Sequence, residues 1–251
     1  MSDVTNHRWT ASDGVDLSYK ELGEGHSVIL LHGLFSSAEV NWIKFGTAAK
    51  IAANGFRVIM PDHRAHGDSS APTVASAYPG GILARDLNEL IAHLDLDAFD
   101  LGGFSLGART IVQAVGEGLK PRRAALSGMG LQGLDRWQSR QQFYIDAIDK
   151  FDEATRGDPH WMSIQFMKTM KVDRQATRHV LGSFAAVDRA WLSQFTMPTL
   201  VLIGTEDGDN GSAEELAALL PDPTYAEVPG NHMNCITKPE FGDLLAAFFA
   251  G

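Results

Sequence analysis

A serine hydroxyl becomes a useful nucleophile only with a base in reach, an acid to orient that base, and donors for the developing oxyanion. Gly103-Phe104-Ser105-Leu106-Gly107 reads G-x-S-x-G. Apolar Ala98, Phe99 and Leu101 lead into it, interrupted by Asp97 and Asp100. Behind it Leu106, Arg109, Ile111, Val112, Ala114 and Val115 follow helical spacing. Strand, sharp turn and helix is the context that lifts a serine clear of a sheet, and the flanking glycines give it room. The following helix aims its free N–H groups at the hydroxyl. Glycine and serine are common, so the motif alone describes an ordinary turn; the partners decide. His232, in Pro229-Gly230-Asn231-His232, is the candidate base. Asp207 is the candidate orienting acid, with Asp209 and Glu206 as close rivals. In chain order the candidates run Ser105, Asp207, His232. The oxyanion donors would be the backbone N–H groups of Leu106, after the serine, and Leu34, after His32-Gly33.

Each of these residues must sit at the carboxyl end of a strand, where open α/β sheets carry their sites. The chain supplies such strands. Arg8–Ala11 and Val15–Tyr19 flank Ser12-Asp13-Gly14 as a hairpin. Ser27–Leu31 is a continuous apolar run, the mark of a strand buried on both faces. A helix from about Asn41 to Asn54 follows, closed by Gly55, and then strand Phe56–Met60. Ile82–Leu94 has helical spacing. Strands Arg123–Leu126, Thr199–Ile203 and the edge-like Thr224–Val228 come next, with helix Ser212–Leu220, N-capped by Ser212, between the last two. Pro239–Phe249 closes the chain as a helix. The alternation predicts a mostly parallel sheet flanked by helices. From Leu131 to Trp191 the alternation stops, leaving helix patterns rich in Trp and Met. The expected division is a core of residues 1–129 and 192–251 with a helical lid, or cap, insertion at residues 130–191.

Composition narrows the function. The 251 residues are 44% hydrophobic and 21% charged, which suits a large globular domain. A formal net charge of −10 disfavours nucleic acid and anionic membranes as partners. Cys235 is the single cysteine, so no intrachain disulfide forms. The polar start Met1–His7 lacks a signal core, and no apolar run approaches membrane-spanning length. A cytoplasmic protein without membrane insertion is expected; oligomeric state is not legible. Asp62, His63, His66 and Asp68 would permit a metal site, but no metal and no cofactor are expected. The G-x-G-x-x-G and G-x-x-x-x-G-K phosphate-binding patterns are missing, and Asp207-Gly208-Asp209-Asn210 lacks the register of a calcium loop.

His32-Gly33, Asp62-x-Arg64-x-His66-Gly67-x-Ser69, Gly103-x-Ser105-x-Gly107, Gly204-x-x-Asp207 and Gly230-x-His232, in this order, resemble the α/β-hydrolase family, in its esterase and lipase-like branch. The resemblance implies Ser105 as nucleophile, His232 as base, Asp207 as its partner and a lid over the substrate. Ala65 stands where the family usually has glycine, and Phe104 and Leu106 are bulkier than the usual neighbours of the serine. Serine at this position argues against the dehalogenases and epoxide hydrolases of the fold, which use aspartate.

The expected activity is hydrolysis of a small-molecule carboxylic ester through an acyl-enzyme on Ser105. The alternatives are a receptor-like protein that binds a ligand with little turnover, and a C–C bond hydrolase or perhydrolase using the same residues. Phe35, Phe104, Trp137 and Met233 are the candidate substrate-binding residues. The insertion also carries Leu134, Phe143, Tyr144, Phe151, Trp161, Met162, Phe166, Met167 and Met170, more apolar bulk than one packing stripe requires. A medium, uncharged apolar substrate follows, because no pair of Arg or Lys stands out to receive a carboxylate.

Overall fold

The structure, a computed structural model, describes residues 3–184 and 187–251. Met1 and Ser2, in the polar start, and Ala185 and Ala186, in the expected insertion, lie outside the described residues. Eight strands form one sheet: β1 (Thr5–Thr10), β2 (Asp16–Leu22), β3 (His26–Leu31), β4 (Phe56–Pro61), β5 (Phe99–Phe104), β6 (Ala124–Ser127), β7 (Thr199–Gly204) and β8 (Pro223–Val228). Their spatial order is β1-β2-β4-β3-β5-β6-β7-β8. β2 runs antiparallel to β1 and β4, and the other pairings are parallel. The hairpin turns at Gly14, whose φ of 84° suits glycine.

The central strands are buried on both faces, which explains their unbroken apolar runs. Along β3, Ile29 and Leu31 enter one core with α2 (Ile82–His93) and α3 (Leu106–Gly116), while Val28 and Leu30 enter the other. That second core is filled from α1 (Thr47–Ala52) and α9 (Pro239–Ala250) by Ile51, Phe241, Leu245 and Phe249. Asp100, which interrupts the apolar run of β5, is fully buried and receives two hydrogen bonds from Arg122, at 3.0 and 2.8 Å. Between α3 and the C-terminal strands, α8 (Ala213–Ala217) begins at Ser212, whose side chain accepts the Glu215 N–H.

The helix expected over Asn41–Asn54 is corrected. A π-type turn over Glu39–Ile43 ends at Gly46 (φ 81°), and only Thr47–Ala52 is regular α-helix. A left-handed residue interrupts a right-handed helix, and the Asn41 side chain is drawn aside to accept the Gly33 N–H at 3.1 Å.

Between β6 and β7 lie α4 (Leu131–Asp135), α5 (Trp137–Asp149), α6 (Trp161–Thr169) and α7 (Arg174–Gly182). Ala147, Ile148, Ile164, Met167 and Leu181 pack together there as a small core that also takes in Phe35.

The β5–α3 junction is the tightest part of the fold. A Cβ on Gly107 would stand 2.0 Å from the Leu31 carbonyl oxygen, and one on Gly103 would stand 2.4 Å from the Gly107 carbonyl carbon. Both obstacles are backbone. Gly107→Ala is therefore expected to destabilise the protein by about 2–4 kcal/mol. Gly182→Ala, exposed and with open space around it, should be neutral or stabilising by up to about 1 kcal/mol. Urea unfolding of the two variants measures the contrast, and equal midpoints would refute it.

Candidate active site

Ser105 stands between β5 and α3 at φ 52° and ψ −106°, a conformation costly for a non-glycine residue. Its N–H is held by the Ser127 carbonyl at 2.8 Å. The strain aims the Oγ at His232, whose Nε2 lies 3.1 Å away. His232 Nδ1 lies 2.8 Å from Oδ2 of Asp207. With Nδ1–H donating to Asp207, Nε2 is left to accept the Ser105 hydroxyl. The Asp207 carboxylate is fully buried, whereas Asp209 and Glu206 are exposed, so only one of the three acids reaches the histidine. Phe104 packs against the His232 ring, with centroids 4.9 Å apart.

Leu106 opens α3, so its N–H has no acceptor one turn earlier in the helix. On the facing loop, a Cβ on Gly33 would stand 3.6 Å from the Ser105 Cβ, so this backbone runs beside the nucleophile. The Phe35 N–H donates to His66 Nε2 at 3.0 Å and is not free for a ligand, which favours Leu34 as the donor on this loop.

A buried polar network holds that loop. His66 Nδ1–H donates to the Arg64 carbonyl at 3.0 Å. His32 Nδ1–H donates to the Gly33 carbonyl at 2.7 Å, and its Nε2 accepts the His63 N–H at 3.0 Å. His63 Nε2–H donates to the His32 carbonyl at 3.1 Å. Burial holds all three neutral: it pushes His32 well below its usual value, His63 to about 3 and His66 to about 4. Asp62 accepts the N–H groups of Ala38 and Asp68, and its carboxyl fills the place a Gly67 side chain would need. Arg64, fully buried, bonds to Asp86 and Asp13. Ala65 takes φ 65° at a cost of about 1 kcal/mol, offset by its methyl packing among Tyr78, Ile82 and Leu106. The donors of this loop are thus structural, and no group of three possible metal ligands occurs among the described residues. Burial, then the charge of Asp207, pushes the Cys235 thiol up to about 12.

A cavity of about 680 Å³ opens from Ser105 and His232. Phe35, Phe104 and Met233 line it, as do Phe45, Phe143, Tyr144, Met162 and Phe166. Met167 and Phe151 belong instead to the core of α5–α7, and Leu134 to the main core. Trp137 lies off this cavity, on a small pocket of about 20 Å³ that also meets Ser105. Its ring carries the Arg109 guanidinium 5.3 Å from the centroid and packs on Phe184 at 4.7 Å. Arg109 and Arg140 both line that small pocket, which corrects the expectation that no pair of cations reaches the site. They stand 31 positions apart on different helices, so no spacing signals them. Asn210, also missed, places its Nδ2 3.5 Å from the Ser105 Oγ and 2.7 Å from the Gly128 carbonyl.

This fold and site define an α/β protein with a serine, histidine and aspartate in line at the carboxyl ends of its strands. A family model described as alpha/beta hydrolase fold matches residues 26–129. The chain is 34% identical over 229 residues to the non-heme chloroperoxidase CPO-A1 of Kitasatospora aureofaciens, covering 79% of this chain and 80% of that one. It is 31% identical over 107 residues to a soluble epoxide hydrolase of Corynebacterium, covering 43% of this chain but spanning about a third, 35%, of that enzyme. Its fold matches the esterase RhEst1 of Rhodococcus with a TM-score of 0.76 at 23% identity, over 100% of this chain and 99% of that one. The chain belongs to the α/β-hydrolase family. No helix among the described residues is long and apolar enough to cross a membrane.

The neutral histidines give the fold an acid sensitivity. Unfolded histidine takes up protons below about pH 6.5, whereas burial lowers His63 to about 3 and His66 to about 4 and holds His32 well below its usual value. Their contribution is complete above pH 6.5 and is lost as pH falls through the folded values. The urea midpoint should therefore drop steadily from pH 7 to pH 4.5; an unchanged midpoint would contradict the assignment.

Proposed function

We propose that this protein is a serine hydrolase that cleaves carboxylic esters carrying an apolar acyl or aryl group. The observation that carries the reading is the continuous line from Ser105 Oγ to His232 Nε2 and from Nδ1 to the buried Asp207 carboxylate. Ser105 attacks the ester carbonyl carbon while His232 takes its proton. The carbonyl electrons move to oxygen, held by the N–H groups of Leu34 and Leu106. Collapse of this intermediate expels the alcohol, protonated by His232, and leaves an acyl-Ser105. Water, deprotonated by His232, then releases the acid. Asp207 keeps the proton on Nδ1 and stabilises the imidazolium. The helices of residues 130–191 act as a lid, and Phe143, Tyr144, Met162 and Phe166 form the apolar wall above the nucleophile.

A second reading draws on the relative named as a chloroperoxidase. In it hydrogen peroxide replaces water against the acyl-enzyme, giving a peracid and free Ser105. Both readings need the same acyl-enzyme, so peracid formation with added peroxide separates them.

Ser105→Ala should preserve the fold and lower ester turnover by about 10⁴-fold or more. A variant retaining a tenth of the activity would defeat the assignment. Asp207→Ala should cost about 10³–10⁴-fold, and Asp209→Ala or Glu206→Ala far less. If Asp209→Ala is the most damaging of the three, the triad is wrongly drawn.

Across a p-nitrophenyl series from acetate to hexanoate, each methylene buried in the cavity contributes about 0.8 kcal/mol, or about fourfold in kcat/KM. A flat or falling series would count against the apolar wall.

A further inference from the structure

Ser105 sits where two unlike spaces meet. The large cavity is walled by aromatic and methionine side chains, with Asp209 on its edge. The small pocket sets several hydrogen-bond donors among Leu34, Leu106, Met129 and Phe184. Asn210 offers its Nδ2 beside the nucleophile. Trp137 has a buried indole N–H with no acceptor among the described residues. Two guanidinium groups, from Arg109 and Arg140, complete it. Arg109 is itself buried and donates to the carbonyls of Gly133 and Leu134, both at 2.9 Å. Arg140 makes contacts with uncharged groups: the Asp209 carbonyl, the Tyr144 hydroxyl at 3.0 Å and the Tyr144 ring.

We propose that this small pocket receives a short substrate arm ending in a carboxylate, with Arg140 as its principal partner, while the apolar arm lies in the large cavity. The proposal rests on ester cleavage at Ser105 and adds the chemical class of the second arm. Four donor side chains of three kinds on one pocket suit an acceptor with several lone pairs and negative charge. An uncharged apolar arm would leave the Trp137 N–H unanswered and offer the Arg140 guanidinium no charged partner. The free volume of about 20 Å³ holds about one water. A carboxylate therefore enters by drawing the Arg140 guanidinium off its carbonyl and phenol partners, exchanging neutral contacts for a charge-assisted pair. Arg140 lines both spaces and so stands at the junction of the two arms.

The test compares matched esters that differ only in charge. O-Hexanoylglycolate, with its charge on the alcohol side, is set against the neutral O-hexanoylglycolamide. Monophenyl glutarate is set against phenyl pentanoate, which places it on the acyl side. Wild-type kcat/KM should favour the anion by about tenfold or more in one of the pairs. Arg140→Gln should reduce that ratio to near one, and high salt should narrow it. Preference for the neutral ester in both pairs, or a ratio unchanged by Arg140→Gln, would overturn the proposal. If no ester of either pair is turned over, the hydrolase reading fails. Calorimetric binding of O-hexanoylglycolate to the wild type and to Arg140→Gln then still decides the pocket: weaker binding to the variant upholds it, and equal binding or none overturns it.

Discussion

The close approach of two backbones governs this molecule. Gly107 lies against the Leu31 carbonyl, and Gly33 lies beside Phe104 and Ser105. No side chain fits at Gly107, so the end of β3 and the start of α3 are pressed together without an intervening layer. That contact puts the free N–H groups of a helix start and the loop after β3 on either side of one serine. It also bears the strain of Ser105, whose positive φ is affordable only in a rigid surround. The cost is spread over β5, buried along its whole length.

The loop after β4 is the second brace, and its physics is that of buried polar groups. Such groups are tolerated when each has a partner, and costly when one is removed. Arg64 is fully buried yet bonded to two carboxylates and the Ala77 carbonyl. His32, His63 and His66 stay neutral and act as donors and acceptors rather than as acids. Asp62 ties the loop to Ala38 and, through Ser69 and Ser18, to β2. Of the residues that look like a metal site in sequence, Asp62, His63 and His66 are engaged with backbone groups of Ala38, Asp68, His32, Phe35 and Arg64, and the Asp68 carboxylate pairs with Lys20.

The helices between β6 and β7 divide their apolar residues between two tasks. Ile148, Ile164, Met167 and Leu181 face one another and hold the helices together. Phe143, Tyr144, Met162 and Phe166 face the cavity. In α6 helical periodicity explains the division, since Met162 and Phe166 are four apart and Ile164 and Met167 three apart. Tyr144 and Phe166 do both, packing on the small core and lining the cavity. Met162 is 63% exposed and Met233 49%, so part of the cavity rim meets solvent and is available to a hydrophobic ligand.

Much of this was legible in the chain. The strand runs, the Ser212 cap, the serine turn and the order Ser105, Asp207, His232 are local patterns, and local patterns survive in sequence because neighbouring residues make them. The choice of Asp207 over Asp209 could be read from its distance to the strand end. Three things were decided only by the tertiary structure. The helix after β3 breaks at Gly46, because Asn41 is drawn to Gly33 eight residues away. Trp137 turns from the large cavity to the small pocket, because Arg109 of α3 and Phe184 hold its ring. Arg109 of α3 and Arg140 of α5 line one small pocket with Ser105. Sequence records which residues a chain owns and the period at which they recur. Which side chains from distant elements share one pocket depends on how helices pack across the sheet, and no spacing along the chain encodes that.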